Sequence, residues 1–590
     1  MTRKALALMV LLLATSSWSV AAERMALGLI VKMRDAVPES VVRLKAASIP
    51  KEQPQRLRAR LASAAHKAGI SYVVERPTAF AANVIHNGRP MRLRDAQAQA
   101  ARLRQNPDVE WVVVNELEQR HAVVSPIPPN DIHYGQQGWL AAAATGGLPN
   151  VPAAWSFLNA QALSPVVVAV LDTGVLRHPD LNGRVLFDDG YDFVSEADYS
   201  NDGNGLDDDA TDPGDYVTSG QIAQNPVLYE DCDGASPSSW HGTEIIGQLA
   251  AATNNNTGIA GLLASLPGAP VLPVRVAGQC GAAVIDIIEG MLWAAGINYN
   301  GRPKVNAHPA RVVSLSFGGN DDCSCDSSRG MTGACLYREA IAALKQKGAI
   351  LVASSGNAGA SNVNGDIKTS RPANCPGALA VTALNVDGRK AQYANLVPAE
   401  GIATVGGDPS HGDNSIYTTS NNGTQGPTLS GGVPTNDYKS VQGTSFSAPI
   451  VAGTVALMWS VNPGLSVDAL LAGLRSAGVR PHAAVGSLPV CSASPSSPSS
   501  GSCNCTTATC GAGVLDVNAA VQWAASQTIT PYVDVPVTAS FFNPSLMRAG
   551  TSSNPPTGGG GGGGGAMDAG TLLGGLALAA LFSATRRRRP

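Results

Sequence analysis

Apolar and polar positions fall into two regimes along the chain. From residue 151 onward, short unbroken apolar runs at 166–171, 271–276, 312–317 and 349–354 alternate with helical stretches at 285–297, 336–347 and 447–461. Runs of that length are what strands covered on both faces show, and helices between them return the chain to the same end of the sheet. The pattern therefore predicts a doubly wound α/β domain with a mostly parallel sheet. Ahead of it, an apolar run at 27–33, a basic helical region at 51–68 and an apolar run at 109–114 predict a small α+β module. Ligands of doubly wound sheets bind outside the carboxyl ends of the strands, so the segments that follow the apolar runs are where chemistry is expected.

Composition agrees with two folded parts. The chain has 590 residues, 44% of them hydrophobic, which excludes disorder throughout and suffices for a large core. Residues 23–124 hold 17 Lys or Arg against 10 Asp or Glu, whereas 125–565 hold 18 against 33, so the parts are oppositely charged and suited to dock on each other. The formal net charge of −3 gives no basic footprint for nucleic acid. Residues 1–22 join Arg3 and Lys4 to an apolar run and the small residues Val20, Ala21 and Ala22, the pattern of a cleaved secretory signal. At the other end stand eight glycines at 558–565, a mostly apolar stretch at 566–585 and four arginines at 586–589. A flexible run, a marginal membrane-length segment and a basic stop resemble the GlyGly-CTERM sorting tails, which implies a Gram-negative exporter and removal of the tail. A permanent single-span anchor is the other reading. Ten cysteines, all at or beyond Cys232, read as disulfides in an exported chain. A zinc site at Cys323 and Cys325 or at Cys503 and Cys505 lacks histidines at ligand spacing.

Three short motifs carry the chemistry. A serine hydroxyl is a poor nucleophile near neutral pH, so it needs a base to take its proton and a third group to hold that base in the useful tautomer. Asp172 ends the run 166–171 in Leu171-Asp172-Thr173-Gly174, His241 precedes Gly242-Thr243 at a helix start, and Ser445 sits in Gly443-Thr444-Ser445-Phe446-Ser447-Ala448-Pro449. Taken singly, Asp-Thr-Gly also fits a helix cap or an aspartic protease loop, and His-Gly-Thr fits a turn. Together, in the order Asp, His, Ser and with the long heptapeptide, they point to nucleophilic hydrolysis. Beginning a helix at Ser445 sets free backbone N–H groups and the positive end of the helix dipole beside the reacting oxygen.

From about Pro129 to Val521 the chain resembles the subtilisin-like serine proteases, the subtilases. The resemblance implies a three-layer fold with a mostly parallel central sheet, and a domain plan of signal 1–22, inhibitory propeptide 23–124, catalytic domain 125–525, linker 526–557 and tail 558–590. The run Asn106-Pro107-Asp108-Val109-Glu110-Trp111-Val112 resembles the end of such a propeptide. In Ser354-Ser355-Gly356-Asn357, Asn357 matches the asparagine that donates to the oxyanion. Ser316, Phe317 and Gly318 match the strand that pairs with the peptide before the scissile bond, and Ser354, Ser355 and Gly356 the opposite wall of the pocket for the residue before the cut. Residues 358–372 would hold the pocket floor and do not align. Cys232 with Cys280 is the disulfide the resemblance suggests.

The same resemblance implies structural calcium. Ala252, Asn255, Thr257 and Ile259 fall on ligating positions of thermitase-like relatives, with Asp131 and Asp180 as the carboxylates. Residues 188–233 hold 14 acidic residues and no Lys or Arg. Asp202, Asn204 and Asp208 are candidates there for a second calcium ion, with a solvated acidic loop as the alternative. One departure stands out: Glu244 replaces the second histidine of the family's His-Gly-Thr-His, one turn from His241, either to shape its electrostatics or to sit in solvent. The expected protein is a monomeric, secreted endopeptidase. Its partners would be protein substrates, its own propeptide as inhibitor and chaperone, and the secretion and sorting machinery. A catalytically inactive surface protein using the groove for binding is the competing reading. An esterase would need a Gly-x-Ser-x-Gly elbow between strand and helix, which this sequence lacks.

Overall fold

Strands and helices follow the two regimes of the sequence. The structure, a computed structural model, describes residues 25–34, 54–78, 82–89, 91–116, 128–140, 145–230, 232, 234–297, 304–319, 321–326, 331–360, 368–408, 416–492, 501–529, 531–535 and 537. The signal at 1–22 and the tail at 558–590 lie outside the described residues. The chain divides into two units, Met1–His121 and Ala122–Pro590.

The first unit is a small α+β module: β1 (Met25–Met33), α1 (Pro54–Lys67), β2 (Val74–Pro77), β3 (Asn83–His86), β4 (Met91–Arg92), α2 (Leu93–Leu103) and β5 (Val109–Glu116). Strand β1 pairs antiparallel with β3, β4 and β5. Its Leu29, Val31 and Met33 alternate inward against Leu61 of α1 and Ala100 and Leu103 of α2. The short β2 and β3 and the alanine-rich α2 are absent from the sequence reading. Each has too few apolar residues to show a period by itself.

The second unit opens with α3 (Val151–Leu158), β6 (Val168–Asp172), β7 (Tyr191–Asp192), α4 (Ala197–Ser200), α5 (Ser219–Gln224), α6 (His241–Ala250), β8 (Val271–Arg275), the ribbon β9 (Ala277–Gly278) and β10 (Gly281–Ala282), and α7 (Val284–Ala294). Next come β11 (Val312–Leu315), α8 (Gly333–Lys347), β12 (Ile350–Ser354), β13 (Leu379–Leu384), β14 (Ile402–Val405) and β15 (Ile416–Ser420). The remainder is β16 (Leu429–Ser430), β17 (Val433–Pro434), β18 (Asp437–Val441), α9 (Thr444–Val461), α10 (Val467–Ser476), β19 (Val479–Arg480), β20 (Val514–Leu515) and α11 (Val517–Ser526). The central sheet runs β19-β20-β14-β13-β12-β11-β6-β8-β7, parallel except where β19 meets β20. Each apolar run of the sequence became one of its strands, and the three expected helices are α7, α8 and α9.

Alternation along the strands explains the three layers. In β6, Val168 and Val170 join the core beneath α6, α9 and α11, while Ala169 and Leu171 join the core beneath α7 and α8. Both faces are thus covered, as the unbroken apolar runs require. Helix α9 is buried along its whole length, from Thr444 to Val461. An all-round apolar helix is the signature of a central core element, and α9 delivers Ser445 from the middle of the fold.

Two further features brace this unit. All ten cysteines pair, as Cys232–Cys280, Cys323–Cys375, Cys325–Cys335, Cys491–Cys503 and Cys505–Cys510, which closes the zinc alternative. The Arg311 guanidinium lies 4.0 Å from the ring of Trp459 in α9 and 4.0 Å from the ring of Tyr532. The Tyr532 hydroxyl donates to the Lys347 carbonyl at 3.2 Å, and Lys347 pairs with Asp534 at 2.6 Å.

The acidic stretch is organised by one buried cation. Arg275, at the end of β8 and 1% exposed, ion-pairs with Asp192 and with Asp202 and donates to the Ser200 carbonyl. Removing one partner of a buried charge set leaves the rest uncompensated, at about 3–5 kcal/mol. Arg275→Ala should therefore lower the urea midpoint of the second unit steeply. An unchanged midpoint would refute this role.

Candidate active site

Asp172 is the last residue of β6, at the carboxyl edge of the sheet, and is 1% exposed. Its Oδ1 accepts from His241 Nδ1 at 2.8 Å and from the Thr173 N–H at 2.9 Å. That pairing sets the His241 tautomer with Nδ1 protonated and Nε2 turned outward. Burial by itself would lower the His241 pKa. The Asp172 carboxylate outweighs it, with Glu244 and Asp215 adding to the effect, and the net direction is upward.

The local sequence explains how His241 reaches the sheet edge. A Cβ on Gly242 would overlap the carbonyl oxygen of Gly174, so only glycine lets the first turn of α6 rest on the Asp172-Thr173-Gly174 loop. The Gly242 N–H donates to Thr173 Oγ1 at 3.0 Å, and that hydroxyl donates to the buried Asp212 at 2.7 Å. Trp240, just before the helix, adopts φ 59°, a left-handed conformation rare for a bulky residue. Its buried ring and an Nε1 hydrogen bond to the Gly423 carbonyl at 2.8 Å hold it there.

Ser445 is the second residue of α9 and 8% exposed, and its N–H is among the first-turn donors that lack an intrahelical acceptor. Pro449, four residues on, has no N–H to offer the Ser445 carbonyl. Ser316 Oγ takes that place, donating to the Ser445 carbonyl at 3.0 Å, and so ties the start of α9 to the segment after β11. The His241 ring packs against the rings of Phe317 and Phe446 at centroid distances of 5.7 and 5.5 Å, so the neighbour of Ser445 touches the histidine. Among the described residues no hydrogen bond joins Ser445 to His241.

Asn357 follows β12. Its Oδ1 accepts from the Thr444 N–H and from Thr444 Oγ1, both at 2.9 Å, which fixes the amide and reserves its nitrogen as the donor. A Cβ built on Gly443 would stand 3.5 Å from that nitrogen, so the amide lies against the turn that opens α9.

Ser316, Phe317 and Gly318 line one cavity of about 550 Å³ with His241. Ser354, Ser355 and Gly356 lie outside its lining, on the stretch that leads to Asn357. Ser355 is wholly buried and its hydroxyl donates to the Asn395 carbonyl, so its side chain is turned away from any pocket. Glu244 is not in solvent: it is 3% exposed, accepts from Ser420 Oγ at 2.9 Å and pairs with Lys439 at 3.3 Å.

The predicted calcium residues do converge. Asp131 and Asp180 are 4% and 0% exposed, and no ion pair joins either to Lys or Arg among the described residues. Asp131 Oδ2 accepts from the Asn254 N–H at 2.9 Å, Asp180 Oδ2 from the Ile259 N–H at 2.9 Å, and Asp180 Oδ1 from Asn255 Nδ2 at 3.1 Å. The carbonyls of Ala252, Thr257 and Ile259 accept no backbone hydrogen bond among the described residues. Buried carboxylates without a cation, beside carbonyls without donors, are a donor set that fits a hard cation. The second predicted site does not form. Asp202 is spent on Arg275, Ser200 and the Asn204 N–H, the Asn204 amide turns to Asp207, and Asp208 is exposed. An arginine supplies the positive charge that an ion was expected to bring.

Asp212, Asp215 and Ser239 had no sequence signal, because each acts through contacts with residues far along the chain. Asp215 accepts from the Ser239 N–H at 2.6 Å and from Ser239 Oγ at 2.7 Å, and Ser239 Oγ accepts from the His241 N–H at 3.2 Å.

Comparison with known proteins agrees with this geometry. Residues 164–480 match the profile of the Subtilase family of S8 peptidases. An extracellular protease of Xanthomonas campestris pv. campestris is 34% identical over 76% of this chain and 65% of its own length, and an extracellular basic protease of Dichelobacter nodosus is 33% identical over 73% and 62%. The chain thus spans a little under two thirds of either relative. A solved structure described as proteases from Pseudoalteromonas arctica is 35% identical, with a TM-score of 0.52, over 67% of this chain and 99% of that one. With the sheet order, the Asp172–His241 pair and the placement of Ser445 already in view, the match over more than half its length settles the matter: the chain belongs to the subtilase family.

Proposed function

We propose that this protein is a secreted serine endopeptidase, made as a zymogen, that cleaves extracellular proteins with Asp172, His241 and Ser445. The observation that carries the reading is the 2.8 Å bond between buried Asp172 and His241, beside a helix whose second residue is Ser445. Ser445 Oγ adds to the scissile carbonyl carbon while its proton passes to His241 Nε2, and Asp172 stabilises the imidazolium so formed. The developing oxyanion takes the Ser445 N–H and Asn357 Nδ2. His241 then returns the proton to the amine as the C–N bond breaks, and water repeats the sequence on the acyl ester. Ser316, Phe317 and Gly318 pair with the peptide as an added strand, and the backbone of 354–356, with the Ser355 side chain turned inward, walls a separate pocket for the residue before the cut. Residues 23–124 act as inhibitor and folding template, their +7 charge matched to the acidic catalytic domain. Residues 1–22 direct export and 558–590 direct sorting. Calcium, held by Asp131, Asp180, Asn255 and the carbonyls of Ala252, Thr257 and Ile259, would brace the loop after α6. When bound, it supplies the positive charge those carboxylates lack.

Purified protein should digest casein, Ser445→Ala should abolish that activity, and Asn357→Ala should lower kcat about 10²- to 10³-fold; an active Ser445→Ala enzyme sinks the assignment. Because His241 must be neutral to act as base and its pKa is raised, activity should fall as pH drops through a value above the ordinary histidine value of about 6.5. Glu244→Gln removes one negative charge that favours the imidazolium, so the acid limb of kcat/KM should move to lower pH, and an unmoved limb would separate Glu244 from His241. Chelator should lower the Tm at neutral pH, since an ion bound only by the folded state stabilises by mass action. Equal melting curves with and without chelator would remove calcium.

A further inference from the structure

The cavity that contains His241 carries a carboxylate, Asp215, that makes no direct hydrogen bond to Asp172, His241 or Ser445 among the described residues. Asp215 of the acidic segment lines it, with Ser239 and with Ser316 to Gly319. Both oxygens of Asp215 are oriented by Ser239, at 2.6 and 2.7 Å, so the carboxylate is fixed in place but not neutralised. Among the described residues no Lys or Arg ion-pairs with it: Arg275 is buried with Asp192 and Asp202, and Arg371, which also lines the cavity, pairs with Asp321 at 3.2 Å. Behind it, the wholly buried Asp212 has its pKa pushed up to about 7 by burial and by the charge of Asp215.

The wall that carries Asp215 is also rigid. Val217 and Ser236 exchange backbone hydrogen bonds at 3.0 and 2.9 Å, and the Cys232–Cys280 disulfide joins this segment to the β9–β10 ribbon. Gln279, fully buried, donates to the Tyr216 carbonyl at 2.6 Å and accepts from the Tyr229 hydroxyl at 2.8 Å. A charge held that firmly meets a ligand without reorganising.

In an extended peptide successive side chains point to opposite faces. If the residue before the cut faces the wall at 354–356, the next one upstream faces the other way, toward His241 and Asp215. We propose that Asp215 makes this enzyme select substrates with Lys or Arg at the second residue before the scissile bond. The proposal rests on the endopeptidase reading and on Ser316–Gly318 as the substrate strand. A charge-assisted hydrogen bond in a partly closed site corresponds to a preference of about ten- to hundredfold.

The test uses the protein as secreted and after its own processing, with residues 23–124 released, and a peptide series identical except at that position, which holds Arg, Lys, citrulline, Gln or Glu. The expected result is kcat/KM for Arg and Lys about ten- to hundredfold above citrulline and Gln, with Glu lowest, and a preference that shrinks as salt is raised. Asp215→Asn should bring Arg and citrulline within about threefold of each other, and Asp215→Ser should do the same. Because Asp215 also braces Ser239, the ratio between peptides is read, not the absolute rate. Equal cleavage of Arg and citrulline peptides by the wild type overturns the proposal and leaves the endopeptidase reading intact. So does an Arg preference that survives in both variants. Failure to cleave any peptide overturns the endopeptidase reading, and this proposal with it.

Discussion

A carboxylate with 1% exposure at the end of a central strand is a demanding thing to build, and most of the site follows from what Asp172 requires. One oxygen takes the Thr173 N–H and His241, and the other has no hydrogen-bond partner among the described residues. A carboxyl group so placed depends on nearby donors, and they must come close without bringing bulk. Hence Gly242 where any side chain would strike Gly174, and hence the left-handed Trp240 that turns the chain into α6. The Thr173 hydroxyl then joins the two segments by taking the Gly242 N–H and giving its own proton to Asp212. The histidine is oriented by backbone packing as much as by its own hydrogen bond.

Much of this was readable in the chain because the chemistry is local in sequence. Asp172, His241 and Ser445 each carry neighbours that serve a physical end: a glycine that permits close approach, a helix start that leaves free N–H groups, and a proline whose missing N–H lets Ser316 hold the Ser445 carbonyl. The apolar runs were equally plain, since strands covered on both faces cannot afford polar interruptions. What escaped notice depends on long-range contact. Glu244 left two readings open until Lys439 and Ser420, from a distant hairpin, were seen to bury it. Asp215 gave no sign at all, because only the folded chain brings it to the cavity lined by His241 and Ser316 to Gly319.

The acidic segment shows how one composition can be read two ways. Fourteen carboxylates with no basic residue between them suggest a second ion, yet the cation that organises them is Arg275, from the end of β8. The loop after α6 is the opposite case. Two buried carboxylates and three unused carbonyls stand together without any protein cation, so the same reasoning that removes an ion from one place favours it at the other.

Arg311 gives the domain a mechanical property. Its guanidinium is sandwiched between Tyr532, on the segment that leads toward the carboxyl end, and Trp459, near the end of α9. A pull on the chain beyond residue 537 meets first Val537, packed against the core beneath α7 and α8, then the pair of Lys347 with Asp534, and then that stack. Ser445 lies fourteen residues away along the same helix, roughly 21 Å at the usual rise. Tension transmitted through the stack therefore enters at the far end of a fully buried rod, about four turns of helix from Ser445.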